Sequence, residues 1–222
     1  MSGDAELHPQ PHPVGFNLTV IAVGVAVLGL GAAYLIDAAS KAERSNGGSG
    51  DTERVLSRTL GGHDLEIPAH WFRYDEQAAE GFAKQIDLRV ELPIGLHGKA
   101  ETVDVTLLPR SRVRPSAALL DGVYLHQFED AQAEGGPVGL VGKPLKPAAG
   151  YEGEVVWYDA LAADPFVAKC STPVASEDGQ CLRTVYLAPG IAAIYAFPEG
   201  VLGSWRVFDV EMGKRLREIG AL

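Results

Sequence analysis

With 222 residues, 29 acidic against 19 basic side chains and a net charge of −10, the chain has room for a domain with a sizeable core. An acidic balance of this kind argues against nucleic acid as a partner and against docking on an anionic lipid surface. Two cysteines without a CxxC spacing exclude a structural zinc site built on thiolates.

Residues 1–15 are polar and proline-rich, which predicts a disordered tail. His8 and His12 within it read as tail rather than as a metal site. From Phe16 to Ile36 the chain runs 21 residues without a charge, and only Asn17 and Thr19 are strongly polar. As a helix this stretch spans roughly 31 Å, the thickness of a bilayer's hydrocarbon core, and it lacks the polar stripe of a soluble helix. The segment is therefore expected to be a single transmembrane anchor in contact with membrane lipid, with Phe16 and Tyr34 at belt positions. A cleaved signal peptide is disfavoured: no Lys or Arg precedes Lys41, and the apolar core is too long. Ala22 with Ala26, and Gly29 with Ala33, form small-xxx-small pairs that suit close approach of a second helix, from a membrane-protein partner or another copy. Gly and Ala are also simply common in membrane helices. Residues 37–52 are Gly/Ser-rich and predict a flexible linker.

Residues 53–222 are expected to form a globular α+β domain. Strand-like pieces fall at Arg54–Leu60 and Asp64–Ile67 around Gly61-Gly62, a turn signal. In the following AHWFRYDEQ, Trp71, Phe72 and Tyr74 read as core or rim. Gln85–Leu92 alternates, with Ile86, Leu88, Val90 and Leu92 on one side and Asp87, Arg89 and Glu91 on the other, as a strand covered on one face does. Glu101–Leu108 repeats the pattern, and the pair reads as antiparallel. After Pro115, Ser116 to Asp130 gathers Leu119, Leu120, Val123, Tyr124 and Phe128 on one helical face. Residues 134–150, rich in Gly and Pro, read as a long loop. Strands resume at Glu154–Tyr158, Phe166–Cys170, Leu182–Ala188 and Ile191–Phe197. The last helix, Val201 to Ile219, carries Leu202, Trp205, Phe208, Met212, Leu216 and Ile219 at helical steps, and Gly220 supplies its stop. Trp205, on that apolar face, is expected to be buried against the sheet. The fold class is a mainly antiparallel sheet covered by two principal helices, behind an N-terminal transmembrane helix.

Cys170 and Cys181 each lie at a strand-like run, with a polar loop between them. They suit a disulfide that clips a hairpin, or two buried thiols; the hairpin placement favours the disulfide, which needs an oxidising compartment. Topology signals conflict. Lys41, Arg44, Arg54 and Arg58 follow the anchor, and the positive-inside rule alone would put the domain in the cytoplasm. The cysteine pair points outward, and the outer face of a bacterial inner membrane is the reading adopted.

No constellation for catalysis, cofactor or metal emerges. GGPVGLVGKP at 135–144 looks like a phosphate loop, but Pro137 stands where the first Gly belongs and Pro144 where Ser or Thr would hold magnesium. The acidic neighbours Asp75/Glu76, Glu129/Asp130 and Glu152/Glu154 read as solvated surface. His63, His70, His97 and His126 lack metal spacing; His63 and His70 flank one short strand and are the one pair worth following. Tyr151, Trp157, Tyr158, Tyr186, Tyr195 and Trp205 read as core aromatics.

The segments LGGHDLEIPAHWFRY, QIDLRVELP, PFVAKC…CLRTVYLAPGIAAIYAFP and VLGSWRVFDVEM, in this order behind an anchor, resemble a group of uncharacterised transmembrane-anchored proteins of alphaproteobacteria. The resemblance covers most of residues 55–212. It implies a membrane-anchored bacterial domain with a paired cysteine near the C-terminus, and it implies no activity. The expected function is a membrane-tethered accessory or binding module. The alternative is an envelope enzyme or small-ligand sensor, which a pocket joining a His or Cys to a perturbed carboxylate would favour.

Overall fold

The computed structural model describes residues 54–95, 98–130, 133–171, 179–187 and 190–222. The expected tail (1–15), the anchor (16–36) with Ala22, Ala26, Gly29 and Ala33, and the linker (37–52) lie outside the described residues, as does His97. Among the described residues no helix is long and apolar enough to cross a membrane.

The first two strands, β1 (Val55–Leu60) and β2 (His63–Pro68), close on Gly61-Gly62 as an antiparallel hairpin in which Leu60 faces His63. Positive φ at both glycines suits the tight turn that matches strand twist. A short third strand, β3 (Gly81–Ala83), runs parallel to β1, giving a small sheet in the order β2-β1-β3. The remaining strands are β4 (Ile86–Leu92), β5 (Glu101–Pro109), β6 (Val141–Pro144), β7 (Glu154–Tyr158), β8 (Val167–Ser171), β9 (Gln180–Tyr186) and β10 (Ile191–Pro198). They form one antiparallel sheet ordered β4-β5-β10-β9-β8-β7-β6. The expected strands are thus present, within a residue or two at their ends. The small sheet's separateness, β3 and β6 are additions.

Strand β6 lies inside the stretch read as a loop. It pairs with β7, which sets Trp157 opposite Gly142, and the indole lies so close that a Cβ on Gly136 or Gly142 would overlap the ring. Close approach of an aromatic ring, rather than phosphate chemistry, accounts for these glycines.

Alternation gives the large sheet two different faces. Ile86, Leu88 and Val90 of β4, Val103 and Val105 of β5, and Tyr195 and Phe197 of β10 share one buried face, joined in a single core with Leu56, Leu60, Leu65 and Ile67 of the small sheet. The C-terminal helix closes this core. It begins as a 3-10 segment, Glu199–Ser204, and becomes α-helical over Trp205–Glu218. Gly220 takes φ +77, and the Ala221 amide returns to the Leu216 carbonyl at 2.8 Å, the capped stop expected there. The helix's central anchor is Phe208, fully buried with its ring 4.9 Å from Phe197 and 5.6 Å from Tyr195. Trp205, expected to be buried, is only half-buried: it stands at the helix's first turn, touching Phe166 and donating its indole N–H to the Val138 carbonyl.

The opposite face is covered at one side by the other helix. Ser116–Leu119, Leu120–Tyr124 and Leu125–Gln127 run together, with a π-type turn in the middle. Buried Leu120 and Tyr124 pack on Leu145, Val156 and Val167, flanked by Leu119, Val123 and Phe128, the face expected from the sequence. The helix stops before the expected Asp130 because Phe128 turns extended and bridges to Leu145.

Candidate functional site

The cysteines occupy directly opposed positions on β8 and β9, and both are buried. Cys170 and Cys181 form a disulfide, and among the described residues no cysteine is free. The hairpin clip is therefore present, and it fits a domain that folds in an oxidising, non-cytoplasmic space.

Just beyond this clip the sheet parts. Strands β8 and β9 pair only over Lys169–Ser171 and Gln180–Leu182; above that, β8 continues along β7 and β9 along β10. The backbone groups left at the split find side-chain partners. Ser116 Oγ accepts the Thr184 amide at 2.8 Å, and Arg183 Nη1 donates to the Val167 carbonyl at 3.4 Å. The Arg183 guanidinium is buried, lies 4.4 Å from the Phe166 ring centre and makes a two-pronged bond to Asp209 on the C-terminal helix, at 2.7 and 3.2 Å. A bidentate pair of this kind supplies the charge and the hydrogen bonds that a buried arginine needs. Arg183 borders a cavity of about 240 Å³ with Pro115, Asp164 and Tyr186, and on the helix side a cavity of about 150 Å³ with Tyr195 and Asp209. Burial, helped by the Asp209 charge, pushes the Tyr195 phenol well up from its ordinary range, so it stays protonated.

A concavity of about 400 Å³ is a groove lined by His70, Trp71, Arg89, Glu91, Arg215 and Glu218. Arg89 is committed to Asp104 at 2.8 Å and Arg215 to Glu218 at 3.2 Å. The groove thus has mixed, internally compensated charge. His70 lines it, whereas His63 lies at the other end of β2, beside Gly190. Six extended residues, about 20 Å, separate the two, so the structure does not bring this pair together.

A buried carboxylate escaped the sequence reading. Alternation along β4 sets Asp87 on the side away from the core, yet it is 9 % exposed. Burial opposes its charge, but hydrogen bonds from Thr106 (2.6 Å), Gln77 (2.8 Å) and Gln85 (2.9 Å), with the nearby Arg73 cation, outweigh that and hold its carboxyl below the ordinary range. The signal available in advance was the amides at 77 and 85, which alternation cannot rank. These partners hold a carboxylate in place, and none of them is a histidine.

The acidic neighbours behave as surface, with one exception: both carboxylate oxygens of Glu154 accept from Lys169 Nζ, at 2.7 and 2.8 Å. Among the described residues no group of three or more His, Cys, Asp or Glu could hold a metal ion. Of the aromatics, Trp157 and Tyr195 are core, while Tyr151, Tyr158 and Tyr186 are half-buried. No family model matches the chain, and neither a curated protein nor a solved structure matches it.

Proposed function

We propose that this chain is a membrane-tethered accessory or binding module of a bacterial inner membrane, held by the helix at 16–36, with its domain on the periplasmic side. The observation that carries the reading is a buried disulfide in a domain that follows 21 uncharged residues. The disulfide weighs against the cytoplasmic orientation suggested by Lys41 and Arg44. The anchor offers Ala22, Ala26, Gly29 and Ala33 to a partner helix, from a larger membrane assembly or a second copy. An enzymatic or sensor reading has less support, because the carboxylate held low, Asp87, does not line the groove that contains His70.

Two measurements test the proposal. Intact cells are treated with a membrane-impermeant thiol reagent, then denatured with and without reductant. A periplasmic, oxidised domain yields free thiols only after reduction, and two free thiols without it place the domain in the cytoplasm. Co-purification in mild detergent should then recover a stoichiometric membrane partner or an oligomer; a strict monomer in every detergent removes the accessory role.

A further inference from the structure

Four exposed cations of this acidic domain, Lys84, Arg110, Arg112 and Arg114, lie at one end of the large sheet, together with its two most exposed large apolar side chains. Because the strands alternate in direction, Ile86, Pro109, Ile191, Tyr186, Val167, Tyr158 and Val141 all lie at the same end of the ladder. Lys84 enters β4 there, and Arg110, Arg112 and Arg114 leave β5 there; all four are exposed. Arg73, Arg89, Lys169, Arg183 and Arg215 elsewhere each face a carboxylate. Among the described residues none of these four does. Asp159, Asp164 and Glu80 stand on adjoining segments without pairing to them, and Asp159 Oδ1 instead accepts the Leu161 amide.

The cations are also held in place. The Arg110 guanidinium lies 3.9 Å over the Tyr186 ring, whose hydroxyl donates to the Val113 carbonyl, and Arg112 Nη1 donates to the Lys84 carbonyl at 3.4 Å. Like charges set side by side without counter-charges repel one another, an arrangement that favours an external anion. At this same end stand Leu161, 96 % exposed, and Phe82, 89 %, the two most exposed large apolar side chains among the described residues. Leu161 follows β7 by three residues, and Phe82 is on β3, whose last residue pairs with Leu60 beside the turn at Gly61.

We infer that this end is a docking face for an anionic phospholipid bilayer, with Lys84, Arg110, Arg112 and Arg114 on headgroup phosphates and Phe82 and Leu161 in the interface. Protruding apolar tips beside unpaired cations suit a bilayer better than a nucleic acid, which would need aromatic stacking or a groove-reading element. The inference rests on the membrane-tethered reading. Residues 37–53 can reach about 56 Å when extended, enough to let either end of the domain meet the membrane.

The full chain tests this in nanodiscs. The native cysteines are paired, so Ser111→Cys takes one dye among the arginines, and Glu152→Cys, at the opposite end, takes the control dye. A headgroup quencher in the bilayer should quench the first dye and not the second when about a third of the lipid is anionic. Quenching should vanish in zwitterionic discs and near 1 M salt, where screening acts within about 3 Å. Arg110→Gln, Arg112→Gln and Arg114→Gln together should shift the docking equilibrium on the order of 100-fold, about fivefold per charge. Lys84→Gln or Arg112→Gln alone serves if the triple variant does not fold. Equal quenching in zwitterionic discs, or no response to these variants, overturns the inference. So does an oligonucleotide that binds through the arginines while the dye stays bright. A chain that alkaline carbonate strips from the bilayer sinks the tether itself; one that stays integral without quenching sinks only the docking face.

Discussion

Phe208→Ala, set against Trp205→Ala, tests how the C-terminal helix is held. Phe208 is fully buried, with Phe197, Tyr195 and Phe166 ring centres at 4.9, 5.6 and 6.4 Å. Truncation leaves a cavity walled by aromatic rings, which collapse poorly, so the loss belongs in the upper part of the usual range, about 4 kcal/mol. Trp205 is half-buried, with one ring contact at 5.6 Å and one hydrogen bond at 3.3 Å to an exposed carbonyl. Its truncation should cost about 1–2 kcal/mol. For a domain of this size that corresponds to a melting drop of about 12 °C for Phe208 and about 4 °C for Trp205. Denaturant unfolding followed by far-ultraviolet circular dichroism, with the disulfide intact, measures both, and an unchanged slope confirms that the same transition is compared. If Trp205→Ala proves as costly as Phe208→Ala, or Phe208→Ala costs under about 1 kcal/mol, the helix is not seated as described.

Replacing both cysteines with serine frees a loop of sequence separation 11 and should lower stability by about 3 kcal/mol by chain entropy; equal midpoints in denaturant for wild type and variant would refute it. Asp87 is held low in the fold, so its contribution is present above the unfolded value near 4 and is lost as pH falls through the lower folded value. Asp87→Asn should therefore be less stable than wild type at neutral pH, and the gap should close below about pH 4; a constant gap in acid melts would contradict the hydrogen-bond assignment. Gly142→Ala should cost about 1–3 kcal/mol by pressing on Trp157, and pairing it with Trp157→Leu should cost less than the sum of the two, whereas strict additivity in unfolding experiments would show that the ring is not the obstacle.

Most of the strands were legible because one-sided burial imposes a period of two. Ile86, Leu88, Val90 and Leu92 announce β4, and Val103, Val105 and Leu107 announce β5, whatever lies across from them. Where burial is not one-sided, the pattern misled. Val141–Pro144 reads as loop because glycine and proline dominate it, yet it pairs with β7 so that Gly142 can lie under Trp157. Asp87 alternates with apolar neighbours like a surface residue, but Gln77 and Gln85 close over it. Averaged charge says nothing of local clusters: a net of −10 covers Arg110, Arg112 and Arg114, set within five residues and joined by Lys84 only through folding.

The sequence by itself determined the α+β class of the domain, the main strands, the apolar faces of both helices, the C-terminal stop at Gly220 and the adjacency of the two cysteines. All of these are local: they follow from periodicity, turn chemistry and short separations along the chain. Tertiary structure alone decided that β8 and β9 part above the disulfide, that Arg183 and Asp209 span the split, that Phe208 rather than Trp205 anchors the helix, and that unpaired cations and apolar tips share one end. Each depends on which residues from distant segments occupy the same space, and no spacing within a single segment encodes that.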